Sequence, residues 1–528
     1  MNGLILLCSV VLILCVFTYK FLSKFGVPML LVFIGLGLMF GVDGLFKIDF
    51  DDFEMAREIC SFALIFIIFF GGFGTKISAA KSVLKHSVLL ATAGVVLTAF
   101  GTTAFCHYVL GFEWLPSFLT GAVLSSTDAA SVFSILRAHN LNLSENTAPL
   151  LEVESGSNDP MAYVLTVTAL SLMGAGTNIP LLLVTQIIYG LGFGFLASFL
   201  TRLILHHIRF GDRTFLMAFL MGAMLFFFAI GELAGGNGYL TVYIYGILVG
   251  NAEFDYKAEI VHFFDGVTGI MQMLIFFLLG ILVNPTKVLQ YAGPAVLVML
   301  ALTFVIRPLI VALLTGPLGS SIRQQVIVSW AGLRGAASVV FATMAVVYDP
   351  VVGFPAFDIA FIVVLLSIAC QGSTLPLLSR RLGMIEEGNV LKTFNDYSEE
   401  EDVNFLSLNI GIGHEWAGKT VREIDLMPSV LLVLIVRGDE DIIPEGKTEI
   451  LVNDKVVLCG SGFTDNKDHL KLYEIPVDED SKYCGKTLRD LGDMHRTLIV
   501  MIKRGNRTLI PGGGSRILAG DTLVLLDR

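Results

Sequence analysis

Apolar residues run in long, nearly continuous stretches through the first 383 positions, then give way to short alternating runs. A membrane-crossing helix takes about 20 mostly apolar residues. Thirteen such stretches are predicted, centred near residues 11, 36, 68, 97, 126, 165, 193, 224, 244, 274, 301, 336 and 366. Those near 126, 244 and 336 contain polar or glycine-rich interruptions. Beyond residue 402 the runs are of β type, as at 430–436 and 498–502.

Lysine and arginine positions test this count. With thirteen spans and the N-terminus outside, thirteen basic residues fall in inside loops (Lys20, Lys24, Lys76, Lys81, Lys85, Arg137, Arg202, Arg209, Arg213, Lys257, Arg323, Arg380, Arg381) and three in outside loops (Lys47, Arg57, Lys287). Cytoplasmic loops are the basic ones, so the expected tail is cytoplasmic. No positive charge precedes the apolar run at 3–18, whereas Lys20 and Lys24 follow it, the reverse of a secretory signal.

Composition agrees. The chain is 55% hydrophobic and 15% charged, well below the quarter expected of soluble domains. A formal net charge of −11 gives no footing for a nucleic-acid polymer. The seven cysteines form no CxxC pair and read as small buried hydrophobes.

Residues 1–383 therefore read as a transmembrane domain, 384–402 as an acidic linker, and the remainder as a soluble α+β tail. The tail contains a repeat: shifted by 67 residues, 418–458 aligns with 485–525 without a gap. GKTVREI matches GKTLRDL, and EILVNDKVVL matches RILAGDTLVL. Each unit reads as a strand, a turn at Arg437-Gly438 or Arg504-Gly505, a strand, and a closing strand after Asp454 or Asp521. The expected modules are 403–470 and 471–528.

Charges inside apolar segments are costly and mark paths or partners. Asp128, Glu154, Asp159, Arg307 and Arg334 are such charges. In LSSTDAASVFS (124–134), the Ser and Thr hydroxyls could simply bond back to helix carbonyls, but Asp128 makes that reading insufficient. A broken helix there would free carbonyls for a cation, with Asp128 offsetting a half-helix N-terminus. In EVESGSNDP (152–160), a helix beginning nearby places Glu154 with Asn158 on one face and Ser155 with Asp159 on the adjacent one. Such oxygens suit a hard alkali cation. WAGLRGAAS (330–338) supplies the counterpart interruption, with Arg334 inside it. Arg307 needs a partner, and Glu154 is the candidate, since a salt bridge would spoil Asp159 as an ion ligand.

SSTDAASVF, LLEVESGSNDPMAY, GNGYLTVYIYGILVGN (236–251), FFDGVTGIMQMLIFFLLGILV (263–283) and WAGLRGAASVVFA (330–342) together resemble the bacterial cation:proton antiporters of the NhaP-like branch, over residues 1–383. The resemblance implies a homodimer in the cell inner membrane, thirteen helices with inverted repeats, and crossed broken helices near 127 and 333. It also implies a cation/proton site of Thr127, Asp128, Glu154, Ser155 and Asp159, with Asp159 carrying the transported charge. The TDAA and ESGSNDPMA spellings look most like the potassium/proton sub-branch. The tail units resemble the TrkA-C (RCK-C) regulatory module, which implies a small regulatory ligand, with a cyclic dinucleotide the first guess. No resident cofactor is expected. The monovalent cation, K⁺ or Na⁺, is expected at Asp159, Thr127 and Ser155.

The expected activity is exchange of K⁺ or Na⁺ for H⁺ by a secondary transporter rather than an enzyme. Asn158, rather than a second acid beside Asp159, predicts electroneutral exchange. A gated cation channel is the alternative, but no TVGYG-like filter occurs. An intramembrane protease would need GxGD or GxSG, which is absent.

Overall fold

The structure is a computed structural model. It describes residues 9–10, 13–18, 28–77, 81–139, 141–174, 178–208, 210, 212–252, 254 and 256–385. In the tail it describes 403–411, 414, 416–424, 430–437, 440–442, 444–461, 471–477, 481, 483–487, 497–504, 507–509 and 515–527. Residue 11, the centre of the expected first span, lies outside the described residues, as do Lys20, Lys24, Arg209, most of the acidic linker, and the turn glycines Gly438 and Gly505. Two compact units are separated near residue 397.

In the first unit the helices are α1 (Met29–Phe40), α2 (Phe53–Gly74), α3 (Leu84–Tyr108), α4 (Trp114–Val123), α5 (Ala129–Ala138), α6 (Thr147–Met173) and α7 (Ile179–His207). They continue as α8 (Arg213–Leu233), α9 (Gly238–Gly250), α10 (Lys257–Leu282), α11 (Pro285–Leu318), α12 (Ile322–Trp330), α13 (Ala336–Tyr348) and α14 (Pro350–Arg381). Among the described residues, seven (α2, α3, α7, α8, α10, α11 and α14) are long and apolar enough to cross a membrane. Helix α6 has 27 residues but carries Glu152, Glu154 and Asp159, and is not among them.

Polar N-caps start several helices. Asp52 accepts from the Met55 amide at 2.9 Å, Asn237 from Leu240 at 2.9 Å and Asp349 from Val351 at 3.0 Å. Small residues let helices touch: α1 crosses α10 where Gly37 faces Gly280, and a Cβ on Gly37 would sit 2.7 Å from the Gly280 Cα.

Two features bear on the site. The stretches near 126 and 336 are each two half-helices, α4/α5 and α12/α13, with no helix at 124–128 or 331–335. Helices α3, α11 and α14 each contain a π-helical segment, at Leu90–Gly94, Leu302–Ile306 and Ser367–Gly372. Such segments concentrate at functional sites. The one in α11 ends just before Arg307, and the next residue, Pro308, lacks an amide donor. Helix α6 differs from expectation. It begins earlier, at Thr147, so the ESGSND residues lie inside the helix rather than at its start.

In the second unit two antiparallel sheets have the same plan. Strands β1 (Val403–Asn409), β2 (Val430–Arg437), β3 (Glu440–Ile442) and β4 (Lys455–Ser461) order as β1-β4-β2-β3. Strands β5 (Lys471–Pro476), β6 (Thr497–Arg504), β7 (Arg507–Leu509) and β8 (Asp521–Asp527) order as β5-β8-β6-β7. The 67-residue shift carries one into the other in detail. Both have a register break, between Leu432 and Leu434 and between Ile499 and Met501. Both place a glycine at positive φ, Gly418 at 81° and Gly485 at 78°. The edge strands β1 and β5 lie before the aligned segments.

Asp454, 1% exposed, organises the first sheet's corner. Arg437 donates to it twice, Nε to Oδ1 at 2.9 Å and Nη2 to Oδ2 at 2.8 Å, and the Leu451 amide donates at 2.8 Å. The Arg437 hydrogen bond holds the Asp454 carboxyl below its ordinary range. Its contribution is therefore full above the unfolded value of about 3.9 and lost as pH falls through the lower folded value. Because Arg437 is 35% exposed, solvent screens the pair. Asp454→Asn is expected to cost about 1–2 kcal/mol at neutral pH, read as earlier proteolytic release of tail fragments on heating. Equal release from parent and variant would show that the pair contributes nothing.

Candidate transport site

The two breaks meet. The Asp128 amide donates to the Leu333 carbonyl at 2.8 Å. The Arg334 guanidinium, in a residue 3% exposed, donates to the carbonyls of Ser125 (3.1 Å) and Ser126 (2.7 Å), just past the end of α4. The Arg334 amide in turn donates to Ser367 Oγ at 3.2 Å, in the π segment of α14. A helix C-terminus carries partial negative charge, so Arg334 sits where a cation is favoured.

Asp128 does the converse. Its carboxylate accepts from the Ser131 amide (3.3 Å) and the Ser131 hydroxyl, capping α5. A Cβ on Gly335 would collide with this same carboxylate. Only glycine fits there, and Asp128 stands against the start of α13 as well as of α5. One acid thus faces two half-helix N-termini, while one arginine faces the carbonyl end of a third half-helix.

Asp159 lies opposite, on α6, and accepts a hydrogen bond from Ser126 Oγ. Ser155 Oγ donates to the Thr127 carbonyl at 2.7 Å, and Asn158 Nδ2 to Thr127 Oγ1 at 2.5 Å. A cavity of about 430 Å³ reaches Asp159 and is lined by Thr127, Asp128, Ser155, Glu152, Asp265 and Gln272, among others. It extends from Asp159 towards the N-terminal ends of α6 and α10.

Of the residues singled out from sequence, Thr127, Asp128, Ser155 and Asp159 line this cavity; Glu154 and Asn158 do not. Glu154, 1% exposed, is engaged elsewhere: Arg307 Nη2 lies 2.5 Å from its Oε1. Among the described residues, Glu154 Oε2 and Arg307 Nε have no hydrogen-bond partner. Gly332 makes room for this arginine, since a Cβ there would be 3.0 Å from Arg307 Nε.

Beyond Asp159, towards the C-terminal end of α6, polar and aromatic contacts tie the helix to its neighbours. Asn237 Nδ2 donates to the Pro160 carbonyl at 2.9 Å, and Tyr163 OH to Glu232 Oε2 at 3.1 Å. Tyr163 packs against Tyr239 and Phe341, with ring centroids 4.9 and 5.8 Å away.

Sequence reasoning passed over Glu152, Glu232, Asp265 and Asp358. Asp358 carried a usable signal, an acid within the apolar run at 356–366, and it is 7% exposed. For Ser126, the spacing showed a polar segment but not which hydroxyl would meet Asp159.

Comparison with known proteins places this geometry in a family context. The sodium/hydrogen exchanger transmembrane family model matches residues 10–381, and the TrkA-C domain model matches 406–462 and 472–526. A protein of Alkalimonas amylolytica named K(+)/H(+) antiporter NhaP is 34% identical over 472 residues, spanning 87% of this chain and 81% of that protein. The K(+)/H(+) antiporter NhaP2 of Shewanella sp. strain MR-4 is 30% identical over 522 residues, spanning 96% of this chain and 78% of that protein. The solved structure of the sodium proton antiporter MjNhaP1 from Methanocaldococcus jannaschii at pH 8 superposes with a TM-score of 0.64 at 24% identity, covering 69% of this chain and 97% of that one.

Proposed function

The chain belongs to the sodium/hydrogen exchanger family and is a multi-pass membrane cation:proton antiporter, and from that premise we propose that it exchanges K⁺ for H⁺ one for one at Asp159. The observation that carries this reading is the arrangement around Asp159. Arg307 is matched by Glu154, and Arg334 by Asp128 across the crossing. These four framework charges sum to zero, leaving Asp159 as the unbalanced acid at the crossing of the two breaks. One proton or one monovalent cation neutralises it, so each direction carries the same charge. Thr127 and Ser155 would complete an oxygen shell for the cation, with Asn158 holding the Thr127 side chain in place. Potassium is proposed over sodium because the Alkalimonas and Shewanella relatives, which align over most of the chain, are named for it.

By the charge count of the loops, the N-terminal ends of α6 and α10 face the cytoplasm of a bacterial inner membrane, so the cavity is an inward-facing access path. The contacts around Tyr163 then form the outer seal. A cavity sealed beyond Asp159 suits alternating access better than a gated channel. Helix α3 with its π segment, then the broken α4/α5, parallels α11 with its π segment, then the broken α12/α13. That parallel supports two related halves, in keeping with the thirteen-span homodimer that the family resemblance implies. Residues 1–383 would form the transport domain, 384–402 the linker, and the two TrkA-C modules a regulatory tail whose ligand is a small molecule such as a cyclic dinucleotide.

The test is proton flux in proteoliposomes driven by K⁺, Na⁺ or Li⁺ gradients, with and without an imposed membrane potential. Exchange is expected with K⁺ preferred and with an equilibrium cation ratio unmoved by the potential. One uncompensated charge per cycle would shift that ratio about tenfold for roughly 60 mV. Such a shift would mean that a second carboxylate, Glu154 or Asp128, also titrates.

A further inference from the structure

The loop between α5 and α6 fastens the point where the chain leaves the first unit. Leu143 forms an antiparallel β-bridge with Ile385, and the Ser144 amide donates to the Met384 carbonyl at 3.0 Å. Residues 384–385 are the last described ones before the tail. The same loop is held from a second direction. Ser321 Oγ donates to the Glu145 carboxylate at 2.6 Å, and Gln324 Nε2 to the Glu145 carbonyl at 2.9 Å. Ser321 is the N-cap of α12, whose other end is the break at 331–335.

Backbone conformation makes this loop unusual. Glu145 and Asn146 both have positive φ, 58° and 54°. Two successive non-glycine residues adopt this conformation only where their surroundings hold them in it. Asn146 leads directly into α6, which carries Asp159. Leu143 and Met384, 2% and 1% exposed, share one hydrophobic cluster with Phe133, in the first half of α5, and Leu333, within the second break.

We propose that the bridge between residues 143–144 and 384–385 is the element through which the tail acts on transport. Displacing the chain at Met384–Ile385 changes the hold on the strained loop, and with it the placement of α6 and α12. The proposal rests on the reading that the tail is regulatory. A tail ligand can bias transport only through an element with two arrangements. A strained loop tied to α6, α12 and the exit segment is such an element.

The test compares exchange rates of full-length and residue-390-truncated protein in proteoliposomes, in three backgrounds: the parent, L143C/I385C, and a Gly/Ser insertion of about 12 residues after Ile385. Residues paired across an antiparallel bridge are within disulfide reach. Oxidised and reduced forms are compared, with oxidised parent controlling for native cysteines. In the parent, truncation is expected to change the rate. In the oxidised L143C/I385C protein, and in the slackened insertion protein, full-length and truncated rates should coincide. If truncation changes the parent but the difference survives in either background, the tail acts by another route and the proposal falls, with the regulatory reading intact. If truncation leaves the parent unchanged, the regulatory reading itself falls and takes the proposal with it.

Discussion

Asp159→Asn is expected to reduce cation-coupled proton flux to background while leaving the protein folded and membrane-inserted. The substitution is nearly isosteric, and the amide oxygen can still accept from Ser126 Oγ. What it removes is titration. An amide takes up no proton at physiological pH, and it offers the cation a dipole in place of a charge. The framework charges would then stand at zero with no group to discharge on either half-cycle. The measurement pairs flux in proteoliposomes with thermal unfolding in detergent. Substantial flux from a protein of parent-like stability would move the exchangeable charge to another acid. Asp128 would be the first to consider, since it lines the same cavity.

The crossing of the breaks explains why Arg334 and Asp128 belong to the site without being ligands of equal kind. Interrupted helices leave partial charges on the free carbonyls and amides at their broken ends. Arg334 answers the carbonyl end after α4, and Asp128 answers the starts of α5 and α13. Gly335 is the steric condition for this arrangement, because any side chain there would occupy the space of the Asp128 carboxylate.

Much of this was legible in the sequence, for physical reasons that differ from residue to residue. The interruptions near 126 and 333 showed because polar residues and paired glycines cannot hide in an apolar span. The pairing of Arg307 with Glu154 could be reasoned from cost alone, since a buried arginine needs an acid and Asp159 was needed elsewhere. The tail repeat was visible where hairpin and cap residues are constrained. It faded over β1 and β5, edge strands that need only alternate. The start of α6 was misplaced because Thr147 begins a helix without a side-chain cap. The carbonyl partners of Arg334 carry no side-chain signature, and no reading of residue types could name them. Glu232 and its link to Tyr163 depend on a contact between α8 and α6 that only the fold brings about.

Removing one member of the Arg307–Glu154 pair is expected to destabilise the protein by about 3–5 kcal/mol. Both residues are at least 95% buried, so either survivor would be a charge left in a poorly polarisable interior. The pair is not fully satisfied even in the parent, because Glu154 Oε2 and Arg307 Nε make no hydrogen bond among the described residues. Such a pair contributes little net stability over an apolar replacement while remaining costly to break. Glu154→Gln and Arg307→Met should therefore each lower the unfolding temperature sharply. The double variant, with no charge left to orphan, should recover a large part of the loss. The cycle is read by thermal unfolding in detergent, with K⁺-dependent flux measured in parallel on whatever protein remains folded. A structural pair predicts stability effects that exceed any change in apparent cation affinity. If Glu154→Gln instead weakens cation affinity at parent-like stability, Glu154 is a ligand of the transported ion, and the charge balance that leaves Asp159 alone would have to be redrawn.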